Sequence, residues 1–137
     1  MNNENKELLL KDISARLPYG TIVSVTDGTI KYNAYIESVS YKNIQVSPVS
    51  DSNFTAYTFY KISEIKPYLR LLSSMTEEEK KEYEHIAPGI EVENGVRIPN
   101  VNQIDWLNAY HFDYRGLIPK GLALKAPEGM YKQEKQQ

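Results

Sequence analysis

The chain has 137 residues, with 16 Lys and Arg against 18 Asp and Glu, a formal net charge of -2 and a hydrophobic fraction of 41%. That is the length of one ordinary domain and the composition of a globular one. It contains no cysteine, which excludes disulfides, thiolate metal centres and cysteine nucleophiles together. No apolar run approaches the ~20 residues that cross a bilayer as a helix. The polar, acidic stretch from Met1 to Glu7 is unlike a signal or transit peptide, so the expectation is a cytoplasmic protein with no membrane partner.

The predicted elements fall into three groups. Leu9, Ile13 and Leu17 lie four apart, with Leu10 widening the stripe, while Lys6, Lys11, Asp12 and Arg16 fall largely elsewhere. This spacing predicts an amphipathic helix over Asn5–Leu17. Pro18 ends it, because a residue before proline avoids helical geometry.

From Thr21 to Leu72 the pattern is β. Thr21 to Val25 alternates and is β-branched, and Asp27-Gly28 signals a tight turn. Ile30, Tyr32, Ala34 and Ile36 then line one face of a long strand. Lys42-Asn43 marks the next turn, and Ile44 to Ser47 forms a short strand ended by Pro48. After a polar loop at Asp51-Ser52-Asn53, Phe54 to Tyr60 reads as an aromatic strand. Ile62 and Ile65 suit a single 3₁₀ turn, and Pro67 to Leu72 reads as the last strand. The chain carries eleven tyrosines beside three phenylalanines and one tryptophan. Tyrosine fits a pleated, half-buried surface and also serves at wet interfaces.

The third group begins at Ser73. Thr76 with Glu79 forms a capping box ahead of a helix running to about His85, and Pro88-Gly89 stops it. Asn94-Gly95, between Val92 and Val96, predicts a hairpin. Asn100 or Asn102 caps a second helix through Tyr110, and Asp113 caps a third over Tyr114–Ile118. From Glu128 onward the sequence is polar and reads as a frayed end.

The expected fold class is therefore α+β. It comprises an N-terminal helix (residues 1–17), a five-stranded antiparallel small barrel (18–73), a helical extension with a short hairpin packed on the barrel (74–128) and a flexible tail (129–137). Closing so narrow a sheet buries its apolar face and removes most of its edges. The strand and 3₁₀ order resembles the SH3-like small barrels, and the leading helix resembles their Sm-like variant.

Two longer stretches carry a second resemblance. One is Lys66-Pro67-Tyr68-Leu69-Arg70 running into Ser73-Ser74-Met75-Thr76-Glu77-Glu78-Glu79. The other is Asp105-Trp106-Leu107-Asn108 followed by His111-Phe112-Asp113-Tyr114-Arg115-Gly116-Leu117-Ile118 and continuing to Tyr131. Together they resemble small uncharacterised proteins of gut anaerobes and their phages or prophages. The resemblance implies no activity, cofactor or catalytic residue, and it implies an accessory or interaction role.

Three function classes follow. The first is a non-enzymatic protein-interaction module. Trp106, Tyr110, His111, Phe112, Tyr114 and Arg115 form an aromatic patch with an arginine, the residue types of docking hot spots; the plainer reading has Trp106 and Phe112 clamping the extension onto the barrel. The partner is a protein or a second copy of the chain. The second is a nucleic-acid-binding barrel that stacks bases on Tyr35, Tyr41 and Tyr57 and gathers Lys31, Lys42 and Lys61 on one face. Against it, residues 18–75 show no basic cluster of the kind that drives phosphate binding. The third is a minor enzyme with a His111/Asp113 centre near Asp105. Its plainer reading has His111 complementing one helix end while Asp113 caps the next turn. No cofactor and no metal site is expected: two histidines 26 positions apart are a poor ligand supply, and no phosphate-binding glycine loop is present.

Overall fold

The computed structural model describes residues 1–49, 58–86, 90–91 and 97–131. Helix α1 (Asn3–Arg16) starts on Asn2, whose side chain accepts the Asn5 N–H at 2.8 Å, and passes into a 3₁₀ turn at Leu17–Tyr19. Strands β1 (Ile22–Asp27) and β2 (Ile30–Val39) form a hairpin over the two-residue loop Gly28-Thr29, with Gly28 at φ 63°. A glycine is the residue that accepts this conformation without strain. Strand β3 (Ile44–Pro48) pairs with β2, and β4 (Thr58–Tyr60) pairs with β3. The expected fourth strand starts at Phe54, but residues 54–57 lie outside the described set. A 3₁₀ turn (Ile62–Glu64) leads into β5 (Ile65–Leu71), which returns to pair with β1.

The order of the antiparallel strands is β4-β3-β2-β1-β5. The fold is α+β, and its sheet is open: β4 and β5 share no ladder among the described residues. A bulge in β2 between Ile36 and Ser38 bends the sheet, because an extra residue on one strand kinks it and raises its twist.

The C-terminal third departs from the expected helical extension. Helices α2 (Glu77–Ile86) and α3 (Val101–Ala109) are present, and strands β6 (Ile90–Glu91) and β7 (Arg97–Ile98) pair as the expected hairpin, its turn lying outside the described residues. The Thr76–Glu79 capping box forms in both directions, and Asn100 with Gln103 forms the second. The third predicted helix does not form. Asp113 instead accepts the N–H groups of Leu117 and Ile118, both at 2.9 Å, which folds Tyr114–Ile118 into a turn. A short polar side chain that satisfies backbone donors locally competes with helix.

Two further strands, β8 (Phe112–Asp113) and β9 (Leu124–Lys125), pair in parallel with the second half of β5. The extension is thus built into the sheet rather than leaning on its outside. The core makes the same point. Leu9 and Ile13 of α1 pack with Val23, Val25, Ala34, Ile44, Val46, Ile65 and Leu69, and Leu117, Leu122 and Ala123 join that cluster. A second cluster centres on Trp106, Leu107 and Phe112, with Met75, Tyr83, Ile86 and Tyr110 against it. The tail also departs from expectation at its start: Tyr131 is buried, so the chain is fixed through that residue.

Candidate functional site

Half of the aromatic patch predicted around Trp106 is interior. Trp106, His111 and Phe112 are buried, and Tyr110, Tyr114 and Arg115 are half-buried. Trp106 stacks on Tyr110 with centroids 4.4 Å apart and on Phe112 at 5.7 Å. Its indole N–H donates to Glu82 Oε1 at 2.7 Å, and the same oxygen accepts from the Tyr110 hydroxyl at 3.0 Å. Burial raises the Tyr110 phenol, and that bond to Glu82 raises it further. The Arg70 guanidinium lies 4.1 Å from the Phe112 centroid, forks onto Glu79 at 2.7 and 2.9 Å and so ties β5 to α2. These contacts are a clamp, and they correct the docking patch: Trp106, His111 and Phe112 offer no surface to a partner.

The expected His111 centre also takes another form. His111 is buried with φ 66°, the one left-handed non-glycine residue among those described. Its Nδ1 lies 3.1 Å from Thr21 Oγ1, and its ring stacks on Tyr131 at 3.7 Å. Burial pushes its pKa down to about 3, with the positive Arg16 and Arg70 acting in the same direction. The imidazole is neutral and enclosed. Asp105 is exposed on α3, while the Asp113 carboxylate is spent on its turn. Among the described residues no group of three or more His, Asp or Glu could hold a metal ion.

Behind this cluster lies a charged centre that periodicity assigned to the solvent side of α1. Asp12 and Arg16 are fully buried. Arg16 Nε donates to Asp12 Oδ2 at 2.8 Å, and its Nη2 reaches Asp12 Oδ1 at 3.1 Å and the Phe112 carbonyl at 2.7 Å. Arg115 Nε stands 3.2 Å from Asp12 Oδ1 as an ion pair without hydrogen-bond geometry. The Tyr114 ring has Arg16 at 5.3 Å and Arg115 at 5.0 Å. An i,i+4 Asp–Arg pair reads as surface in a sequence, and nothing local marks it as buried.

The residues expected to meet nucleic acid come together in part: Ile44 stands opposite Tyr60, so Lys61, the next residue, lies beside the turn that carries Tyr41 and Lys42, while Lys31 is at the other end of β2. Lys31 pairs opposite Thr26 at the β1 end of β2, whereas Tyr41 and Lys42 sit in the turn beyond its other end. Roughly 25 Å of strand separates the two lysines. Lys61 follows β4 and is exposed; Tyr41 is exposed with the Lys42 ammonium 5.7 Å from its centroid. Tyr57 lies outside the described residues.

Three of the exposed apolar side chains, Tyr35, Val49 and Phe59, belong to the outward face of β2–β4, while Tyr41, Val101, Ile30 and Leu72 are exposed elsewhere. The register places Tyr35 opposite Ser47, and Gln45 opposite Phe59; the Val49 N–H donates to the Asn33 carbonyl. Side chains directly opposite share a face, so Tyr35, Val49 and Phe59 all lie away from the core residues Ala34, Val46 and Ile44. Phe59 is 59% exposed, Tyr35 38% and Val49 37%. Around them Ser47 donates to Glu37, and Ser38 donates to Gln45. On this face the apolar side chains are interspersed with polar ones, since Gln45 and Ser47 of β3 stand between Phe59 and Tyr35.

An open groove of about 890 Å³ lies on another side of the molecule. Arg70, Leu71, Ser74 and Thr76 line one wall, and Lys125 to Tyr131 line the other. Among the described residues no helix is long and apolar enough to cross a membrane. No family model, curated protein or solved structure matches the chain.

Proposed function

We propose that the chain is a non-enzymatic, cytoplasmic interaction module, an accessory protein of the phage or prophage kind, that docks a protein partner or a second copy of itself. The observation that carries the reading is the exposed Phe59 on β4, the last strand of the sheet among the described residues, with Tyr35 and Val49 on the same face. Exposed aromatic rings set among polar groups on one sheet face are the composition of a polar interaction site, because burial of those rings is favourable only against another molecule. The docking surface is this sheet face and not the Trp106 cluster.

The sheet supporting that face is proposed to close as an SH3-like barrel. The hydroxyl of Tyr32, early in β2, lies 2.9 Å from that of Tyr60, at the end of β4, although the ladder runs Tyr60 beside Ile44 and Ile44 beside Val39, far along β2. A flat sheet keeps those two rings apart, and a curled one brings them together. Nucleic-acid binding is the weaker reading, since Lys42 and Lys61 make a pair of cations rather than the larger basic cluster that drives phosphate binding. An enzymatic reading would need a cleft at His111, whose ring is buried.

Light scattering and affinity capture from a host lysate, with wild type beside Phe59→Asp, test the docking face. The expected result is wild-type self-association, or capture of a protein, that Phe59→Asp abolishes without lowering stability. A strict monomer with identical capture by both proteins overturns the reading. A salt-dependent shift of single-stranded RNA or DNA would favour nucleic acid instead.

A further inference from the structure

The stretch from β9 to Tyr131 crosses β5 from one edge to the other. Adjacent strand residues aim their backbone groups at opposite edges. The Leu69 carbonyl accepts the Ala126 N–H at 2.8 Å, which holds β9 on one edge; the Tyr68 carbonyl accepts the Tyr131 hydroxyl at 2.8 Å and faces the other. On that second edge β1 and β5 part. Their ladder runs from Val25 opposite Ile65 to Val23 opposite Pro67 and ends there. At the next position the Tyr131 hydroxyl accepts the Ile22 N–H at 2.9 Å while donating to Tyr68. The phenol occupies the place of the missing rung, and its ring is seated on His111.

Between these anchors the stretch has little packing. Lys125, Pro127, Glu128 and Gly129 are exposed, and the groove beside Arg70 and Ser74 opens beneath them. Gly129 holds φ 85° with no atom within 4 Å of where a Cβ would stand. A segment with few buried contacts opens at lower free energy than the body it is fastened to.

We propose that Leu124–Tyr131 is a strap that opens as a unit, with the Tyr131 phenol latching it over the junction of β1 and β5. Opening strips β9 from β5 and uncovers the backbone groups of Ile22, Tyr68 and Leu69 while the antiparallel strands β1 to β5 stay paired.

Native-state hydrogen exchange on the full chain, in rising sub-denaturing urea, tests the strap. The Ile22, Ala126 and Met130 amides should exchange through an opening that urea barely affects, and faster than the amides of β2 and β3. One exchange free energy shared by all of them overturns the proposal. Tyr131→Phe keeps the ring on His111 and removes the hydroxyl; it should speed exchange at Ile22 and Ala126 about tenfold while β2 is unchanged. Gly129→Ala strains only the left-handed backbone and should loosen the same amides. A uniform change across the chain, or none, in both variants would sink the idea.

Discussion

At the scale of single residues, charge is the main surprise. Arg16 heads the fully buried side chains by volume, and Asp12 beside it is fully buried as well. A buried ion pair contributes little net stability compared with apolar replacements, yet breaking it strands a charge. Asp12→Ala is therefore expected to cost roughly 3–5 kcal/mol in urea denaturation, while the double variant Asp12→Leu/Arg16→Met recovers most of that loss. His111 supplies the pH dependence. Its native pKa lies far below the unfolded value, chiefly through burial. Below about pH 6.5 the unfolded chain takes up a proton that the native state refuses, so stability falls as pH drops. The loss should reach roughly 3 kcal/mol by pH 4. His111→Asn, which tolerates the left-handed backbone, should flatten that part of the profile in thermal melts at stepped pH. An unchanged acid limb would remove His111 from the account.

At the scale of elements, the Thr76–Glu79 capping box was legible because both partners lie within four residues, whereas the sequence left Asn100 and Asn102 as alternative caps for the later helix. Thr76 with Glu79 starts its helix where the sequence places it, and the structure chooses Asn100, boxed with Gln103, over Asn102. Where α2 docks was not legible. Trp106 reaches it through the tilted ring of Tyr83, 5.5 Å away between centroids, and through Glu82, 24 positions away. Trp106→Ala should cost about 3–5 kcal/mol, since a large ring leaves a cavity between α2 and α3. Glu82→Ala should cost about 1 kcal/mol, because the carboxylate is exposed and water replaces it. Chemical denaturation of the two variants separates cavity from hydrogen bond; equal losses would contradict the clamp. The turn at Asp113 shows the limit of capping rules. The same side chain that caps a helix also ends one, and the parallel pairing of β8 with β5 decides between them.

At the scale of the whole molecule, the N-terminal helix and the C-terminal third are tied together. Arg16 reaches the Phe112 carbonyl and Asp12 faces Arg115, so strain or loss at one end is felt at the other. Trp106 is the sole tryptophan. Its fluorescence therefore reports the C-terminal cluster, while far-ultraviolet circular dichroism reports all elements. The two are expected to give coincident urea transitions, the signature of one cooperative unit. Separate midpoints would show that the two clusters unfold independently.

By itself the sequence determined what depends on near neighbours: α1, the hairpin at Gly28, the strands β1 to β5 in order, the turn before β5 and the Thr76–Glu79 helix cap. These follow from side-chain period and local hydrogen bonds, which a chain cannot evade. Tertiary structure decided what depends on distant partners. It turned Asp12 and Arg16 inward, gave the Trp106 rings to the interior, placed Tyr131 against β1 and laid β8 and β9 along β5. Each of these outcomes rests on groups up to about a hundred positions apart, and no local pattern encodes which of two amphipathic surfaces a folded chain will cover.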